Sequence, residues 1–182
     1  MKILVDASII SKGGGVQVAL SFINNISSDP LFELICIVSP QLDEQILDSV
    51  KNKIQYYYVE TNESIINKFK QGRRIKKLEQ MHKPDFVFIV FGPAYWKPSV
   101  SSLQGFALGK MLYRKELNIG LVENLFNYIK RFLFQKSGSK FVVETDLVKH
   151  KLSSDFGISL DQIFVIGNSY SPNFYQCVMD NK

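Results

Sequence analysis

MKILVDASIISKGGGVQVALSFINNI, residues 1–26, is the stretch on which the fold turns. Ile3-Leu4-Val5 reads as a short strand and Asp6-Ala7-Ser8 closes it. Gly13-Gly14-Gly15 makes a turn, and Val16 to Ile26 carries a helical pattern. Strand, glycine turn and helix, in that order, bring backbone N–H groups and the positive end of a helix up to an anion. Consecutive glycines remove the Cβ atoms that would hold a phosphate away. The turn is neither the dinucleotide fingerprint G-x-G-x-x-G nor a Walker loop, which ends in Gly-Lys-Ser/Thr. A flexible strand-to-helix connection is the alternative reading of the same residues.

Outward from this unit, strands and helices alternate. FELICIV (32–38), IQYYYV (54–59) and FVFIVF (86–91) read as strands, the last apolar on both faces as a central parallel strand is. Val100 to Leu103, Lys140 to Val143 and Ile163 to Ile166 read as shorter strands. Helices are expected over Leu42 to Val50, from an Asn62 cap through Met81, over Leu121 to Gln135, and from a Thr145 cap to Gly157. Gly72 is a point where the second of these is expected to weaken or break. Ala107 to Gly120 reads as loop with a turn of helix. In the Leu121–Gln135 helix, Leu121, Leu125, Tyr128, Ile129, Phe132 and Leu133 form an apolar face expected to pack on the core; a helix lying on a membrane surface is the alternative. The alternation predicts an α/β protein: one Rossmann-like, doubly wound parallel sheet with helices on both faces.

The 182 residues suffice for one domain, and 46% apolar with 21% charged residues is ordinary for a globular chain. No apolar run reaches the length of a transmembrane helix. Cys36 and Cys177 lie far apart without metal-ligand spacing, so no metal site is expected; Cys36 reads as a buried thiol and a reducing compartment fits. The net charge of +5 is concentrated in Lys68, Lys70, Arg73, Arg74, Lys76 and Lys77, and again in Lys110, Arg114 and Lys115. A solvated basic face explains such clusters, and an anionic membrane surface is the sharper reading. No nucleic-acid module signature is present, so no nucleic-acid partner is expected.

Several pieces in sequence order resemble the N-terminal domain of a GT-B-type glycosyltransferase of family 4, the "glycosyl transferases group 1" kind. They are Met1 to Val5 with Gly13-Gly14-Gly15-Val16-Gln17, Lys83-Pro84-Asp85-Phe86-Val87, Pro98 to Ala107, and Phe141 to Thr145 with Val148-Lys149 and Leu152. Phe156-Gly157-Ile158 through Ile163-Phe164-Val165-Ile166-Gly167-Asn168 resembles the family's junction into a second domain. The resemblance implies two Rossmann-like domains with an active site in the cleft between them. The first binds the acceptor; the second binds a UDP- or GDP-linked sugar and carries an acidic E-x7-E motif. Residues 1–170 would be the acceptor-side domain and 171–182 the start of the connection to a C-terminal donor domain. The chain would then be a piece of a longer protein or a half needing a partner, inactive by itself and binding no cofactor of its own.

By the same resemblance, Gly13, Gly14, Gly15 and Gln17 lie near the donor phosphates. Gln104 stands where many members have a histidine; an amide hydrogen-bonds a hydroxyl but does no acid–base work. Tyr95, Trp96, Glu144 and Thr145 are the expected acceptor-side residues, with a glycan or lipid-linked glycan as acceptor. Such enzymes serve bacterial surface polysaccharide or lipopolysaccharide synthesis at the cytoplasmic membrane face, which the basic segments would suit. Two other classes compete. A nucleotide- or dinucleotide-binding oxidoreductase lacks support because Ser39-Pro40, not an acidic residue, follows the second strand. A non-catalytic flavodoxin-like or receiver module lacks an acidic cluster, since Asp6 stands alone.

Overall fold

The computed structural model describes residues 1–61, 65–107, 109–112 and 121–167. Asn62, Arg114, Lys115 and the whole 168–182 tail, including Asn168 and Cys177, fall outside the described residues, as does the proposed connection. Seven parallel strands form one sheet: β1 (Lys2–Ala7), β2 (Glu33–Val38), β3 (Tyr56–Val59), β4 (Phe86–Ile89), β5 (Ser102–Gly105), β6 (Lys140–Val143) and β7 (Ile163–Val165). Their order is 3-2-1-4-5-6-7. The doubly wound α/β prediction is correct.

Alternation along β1 explains why both faces are covered. Ile3, Val5 and Ala7 join Leu34, Cys36 and Val38 of β2 on one face, where α1 (Gly14–Ile26) lays down Val16, Ala19 and Ile23. Leu4, Ile35, Ile37, Val87 and Ile89 point the other way, against Ile75 of α4 (Ile65–His82) and Trp96. Burial pushes the Cys36 thiol up to about 12, so it is an inert core group, as expected. A third apolar cluster joins Phe134 of α6 (Leu121–Ser137) to Phe141 and Val143 of β6 and to Leu152 and Phe156 of α7 (Asp146–Phe156).

The structure redraws several boundaries. The single helix expected over Leu42 to Val50 is two short ones, α2 (Pro40–Asp43) and α3 (Asp48–Lys51). Ser39 starts α2 early by accepting from the Leu42 N–H, and Asp43 is taken up by Tyr57 (2.8 Å) and Lys51 (2.6 Å). The fifth strand lies two residues further on than Val100 to Leu103, a shift that leaves each side chain on its expected face. A one-turn helix, α5 (Gly109–Leu112), occupies part of 107–120. Gly72 does not interrupt α4; a Cβ there would lie 2.7 Å from the carbonyl carbon of Tyr95 and closer still to its oxygen. Glycine is required there by a close approach of backbone.

The largest correction concerns α6. Among its described side chains Asn127, Phe134 and Ser137 are the buried ones, while Leu125, Tyr128 and Phe132 are 61%, 65% and 53% exposed. Of the apolar face expected to pack on the core, Leu125, Tyr128, Ile129 and Phe132 face outward instead and Leu133 is half-buried, while the polar Asn127 is buried.

Candidate functional site

In an open parallel sheet, ligands bind outside the carboxyl ends of the strands, where the strand order reverses. Here that point lies between β1 and β4: the chain runs outward from β1 to β2 and β3, then returns to place β4 on the other side of β1. A cleft of about 300 Å³ opens beside it, over the ends of β1, β2 and β3. Ser8, Ser11, Ser39, Gln41, Thr61 and Lys68 give it its polar lining.

Its floor is built on Asp6. The last turn of β1 buries this carboxylate, and three donors hold it: the Ser8 N–H (3.1 Å) and hydroxyl (2.7 Å) on one oxygen, and the Trp96 indole N–H (2.7 Å) on the other. Burial raises its pKa above the ordinary carboxylate value, and these donors offset part of the rise. Ser39 donates to the Ile10 carbonyl, which ties the end of β2 to the loop after β1.

The loop after β4 is fastened from α4. Buried Glu79 accepts from the Ser99 N–H (2.5 Å) and from Lys76 (2.5 Å), and Lys76 also donates to the Lys97 carbonyl (2.9 Å). The Gly92-Pro93 peptide in this loop is cis. The basic cluster of α4 is therefore not one solvated face: Arg74 pairs with Glu60, Lys76 with Glu79, and Lys68 lies over the Tyr95 ring at 5.5 Å.

The expected site residues separate into groups. Gly13 takes φ +71°, which glycine alone adopts freely, and α1 begins after it with no side-chain cap and no acidic residue in its first turn. Gly14 has open space around it, Gly15 sits against Phe91 and Ile10, and Gln17 is exposed. Tyr95 is half-buried, edge-on to Phe69 at 5.3 Å and beneath Lys68, so it stands behind a cleft residue and does not line the cleft itself. Trp96 is 8% exposed and packed on the sheet; its part is to hold Asp6, not to offer a ring to a ligand. Glu144 is exposed at the end of β6, and Thr145 is occupied in capping α7, accepting from the Val148 N–H at 3.3 Å.

Gln104 is wholly buried. Its amide N–H donates to the Phe134 carbonyl (3.3 Å) and its oxygen accepts from Ser137 (2.5 Å). A side chain sealed under α6 with both ends used offers nothing to a substrate, so the geometry gives it a structural task. Sequence reasoning missed Lys68, Ser11 and Thr61 as cleft residues. Lys68 was one of six cations in a row, and its distinction is tertiary.

No family model matches this sequence, and no curated protein matches it. Solved structures do match in fold. UDP-N-acetylglucosamine 2-epimerase from Rickettsia bellii aligns with a TM-score of 0.63 at 13% identity, over 100% of this chain and 48% of that one. A glycosyltransferase from Rickettsia africae aligns at 0.56 and 16% identity, over 99% and 48%. Anabaena HepE, solved in complex with UDP and glucose, aligns at 0.57 and 14%, over 100% and 50%. The chain thus spans about half the length of the structures it matches. What it shares with these glycosyltransferases and epimerases is the GT-B-type, Rossmann-like fold of a parallel seven-stranded sheet.

Proposed function

We propose that this chain is the acceptor-binding half of a nucleotide-sugar glycosyltransferase of the GT-B type, family 4. The intact protein moves a sugar from a UDP- or GDP-linked donor to an acceptor hydroxyl in the synthesis of a surface glycan. The observation that carries this reading is the cleft over the carboxyl ends of β1, β2 and β3, next to the strand reversal and the uncapped start of α1. HepE, of the same fold, is solved with UDP and glucose, which supports a nucleotide-linked donor. Hydroxyls, an amide and one ammonium line the cleft, with no carboxylate or imidazole in the lining among the described residues. Such a lining grips and orients a polyol; proton transfer is left to other groups.

The test is a ligand-observed NMR screen of this chain against neutral and phosphorylated hexoses, UDP, GDP, UDP-sugars, NAD and NADP. Hexose binding with weak nucleotide binding is expected. Tight NAD or NADP binding would overturn the reading in favour of an oxidoreductase. Turnover of UDP-N-acetylglucosamine without an acceptor would overturn it in favour of an epimerase.

The same proposal places the protein against an anionic membrane face, where a lipid-linked acceptor is presented. Its support is the outward row Leu125, Tyr128, Ile129 and Phe132 on α6, with Lys136 beside Phe132 and half-buried Lys130 on the same helix. No helix among the described residues is long and apolar enough to cross a membrane. Sedimentation with anionic liposomes is expected in low salt and release in high salt; failure to sediment in low salt removes this part.

A further inference from the structure

We infer, building on the acceptor-binding reading, that the acceptor held in the cleft is a phosphate monoester and that Lys68 seats its phosphate. The lining is uneven in what it offers. Ser8 and Ser39 spend their hydroxyl protons on Asp6 and on the Ile10 carbonyl, so they present only lone pairs to the cleft. The side chains of Ser11, Gln41 and Thr61 make no hydrogen bond among the described residues and are free to donate.

Lys68 is the one charged residue of the lining among the described residues. Its ammonium lies over the Tyr95 ring, and no carboxylate among the described residues pairs with it. Arg74 and Lys76 on the same helix have acidic partners; Lys68 instead lies over an aromatic ring at the cleft. A second cation, Lys130 of α6, is near enough to repel it. That repulsion, after burial, holds the Lys68 pKa below the usual lysine value.

A half-buried ammonium over an aromatic face and unspent hydroxyl donors form a site short of negative charge. A phosphate monoester answers that charge, and its three free oxygens accept from the ammonium and the free donors. A carboxylate supplies one charge, and a neutral sugar none. Some 300 Å³ is at the small end of ligand clefts, a size for one monosaccharide and its phosphate.

The experiment is calorimetric titration of the whole chain with glucose 6-phosphate, inorganic phosphate, glucose, glucuronate and UDP, on the unaltered protein and on Lys68→Ala and Lys68→Arg. Glucose 6-phosphate is expected to bind more tightly than glucose or glucuronate, and less tightly in high salt. Lys68→Ala should weaken it at least about tenfold, and Lys68→Arg should recover part of the loss. Thermal unfolding of both variants should match the unaltered protein, because Lys68 has no ion pair to lose. Glucose binding as tightly as glucose 6-phosphate, or binding indifferent to Lys68→Ala, would overturn the inference and leave a neutral acceptor in the same cleft. If UDP alone depended on Lys68, the cation would serve the donor and the inference would fall. No binding by any phosphate would also refute it. None of these outcomes is the tight dinucleotide binding that would remove the glycosyltransferase reading itself.

Discussion

Phe134→Ala is expected to lower the stability of the protein by about 3–5 kcal/mol. The ring is fully buried and central to an aromatic group: Phe106 meets it edge-on at 5.2 Å, Phe156 at 5.9 Å, and Phe141 stacks on it at 5.0 Å. Removing it leaves a cavity that three stiff rings fill poorly, so the loss should lie at the upper end of the range for large-to-small changes. The backbone carbonyl of Phe134 also accepts from Gln104, so relaxation of α6 would disturb a buried amide as well. Urea unfolding should show a lower midpoint with an unchanged slope. A loss below about 1 kcal/mol would mean that α6 does not pack on β5 and β6 as described.

The second large effect reverses what helix propensity predicts. Gly72 lies inside α4, where alanine is favoured by about 1 kcal/mol. Yet Gly72→Ala should destabilise by about 1–3 kcal/mol, because its methyl would press on the Tyr95 carbonyl. That obstacle is backbone in a loop fixed by Lys76 and Glu79, so it cannot swing aside as a side-chain tip would. Tyr95 would be displaced, and hexose binding should weaken together with stability. A stabilised Gly72→Ala protein would show that helix and loop are not in contact.

Gly72 also shows where sequence reading stops. From sequence it looks like a weak point in a helix; the structure makes it the place where a loop crosses. That distinction depends on a residue twenty-three positions away. The sheet itself was legible because each strand carries its own signal: apolar runs of the right length, bounded by Gly, Pro, Asp and Ser. Periodicity likewise marked the apolar face of α6, but it says which face is apolar, not which is covered, and here Asn127 and Phe134 turn inward instead. At the site, the glycine turn was visible through its composition, and Thr145 through its capping chemistry. Gln104 was read by analogy of position, which carries no information on the helix laid over it. Lys68 was hidden among its neighbours because local sequence does not reveal which of several lysines lies over an aromatic ring at a cleft.

The Asp6 carboxylate, gripped from both sides by Ser8 and Trp96, has a mechanical consequence. It works as a rivet through the two loops that flank the strand reversal, one after β1 and one after β4. Glu79 and Lys76 then bolt the second loop to α4, and Ser39 bolts the first to the end of β2. The loops after β1 and after β4 are therefore held as one stiff unit, so neither can shift without carrying the other and the helix bolted to it.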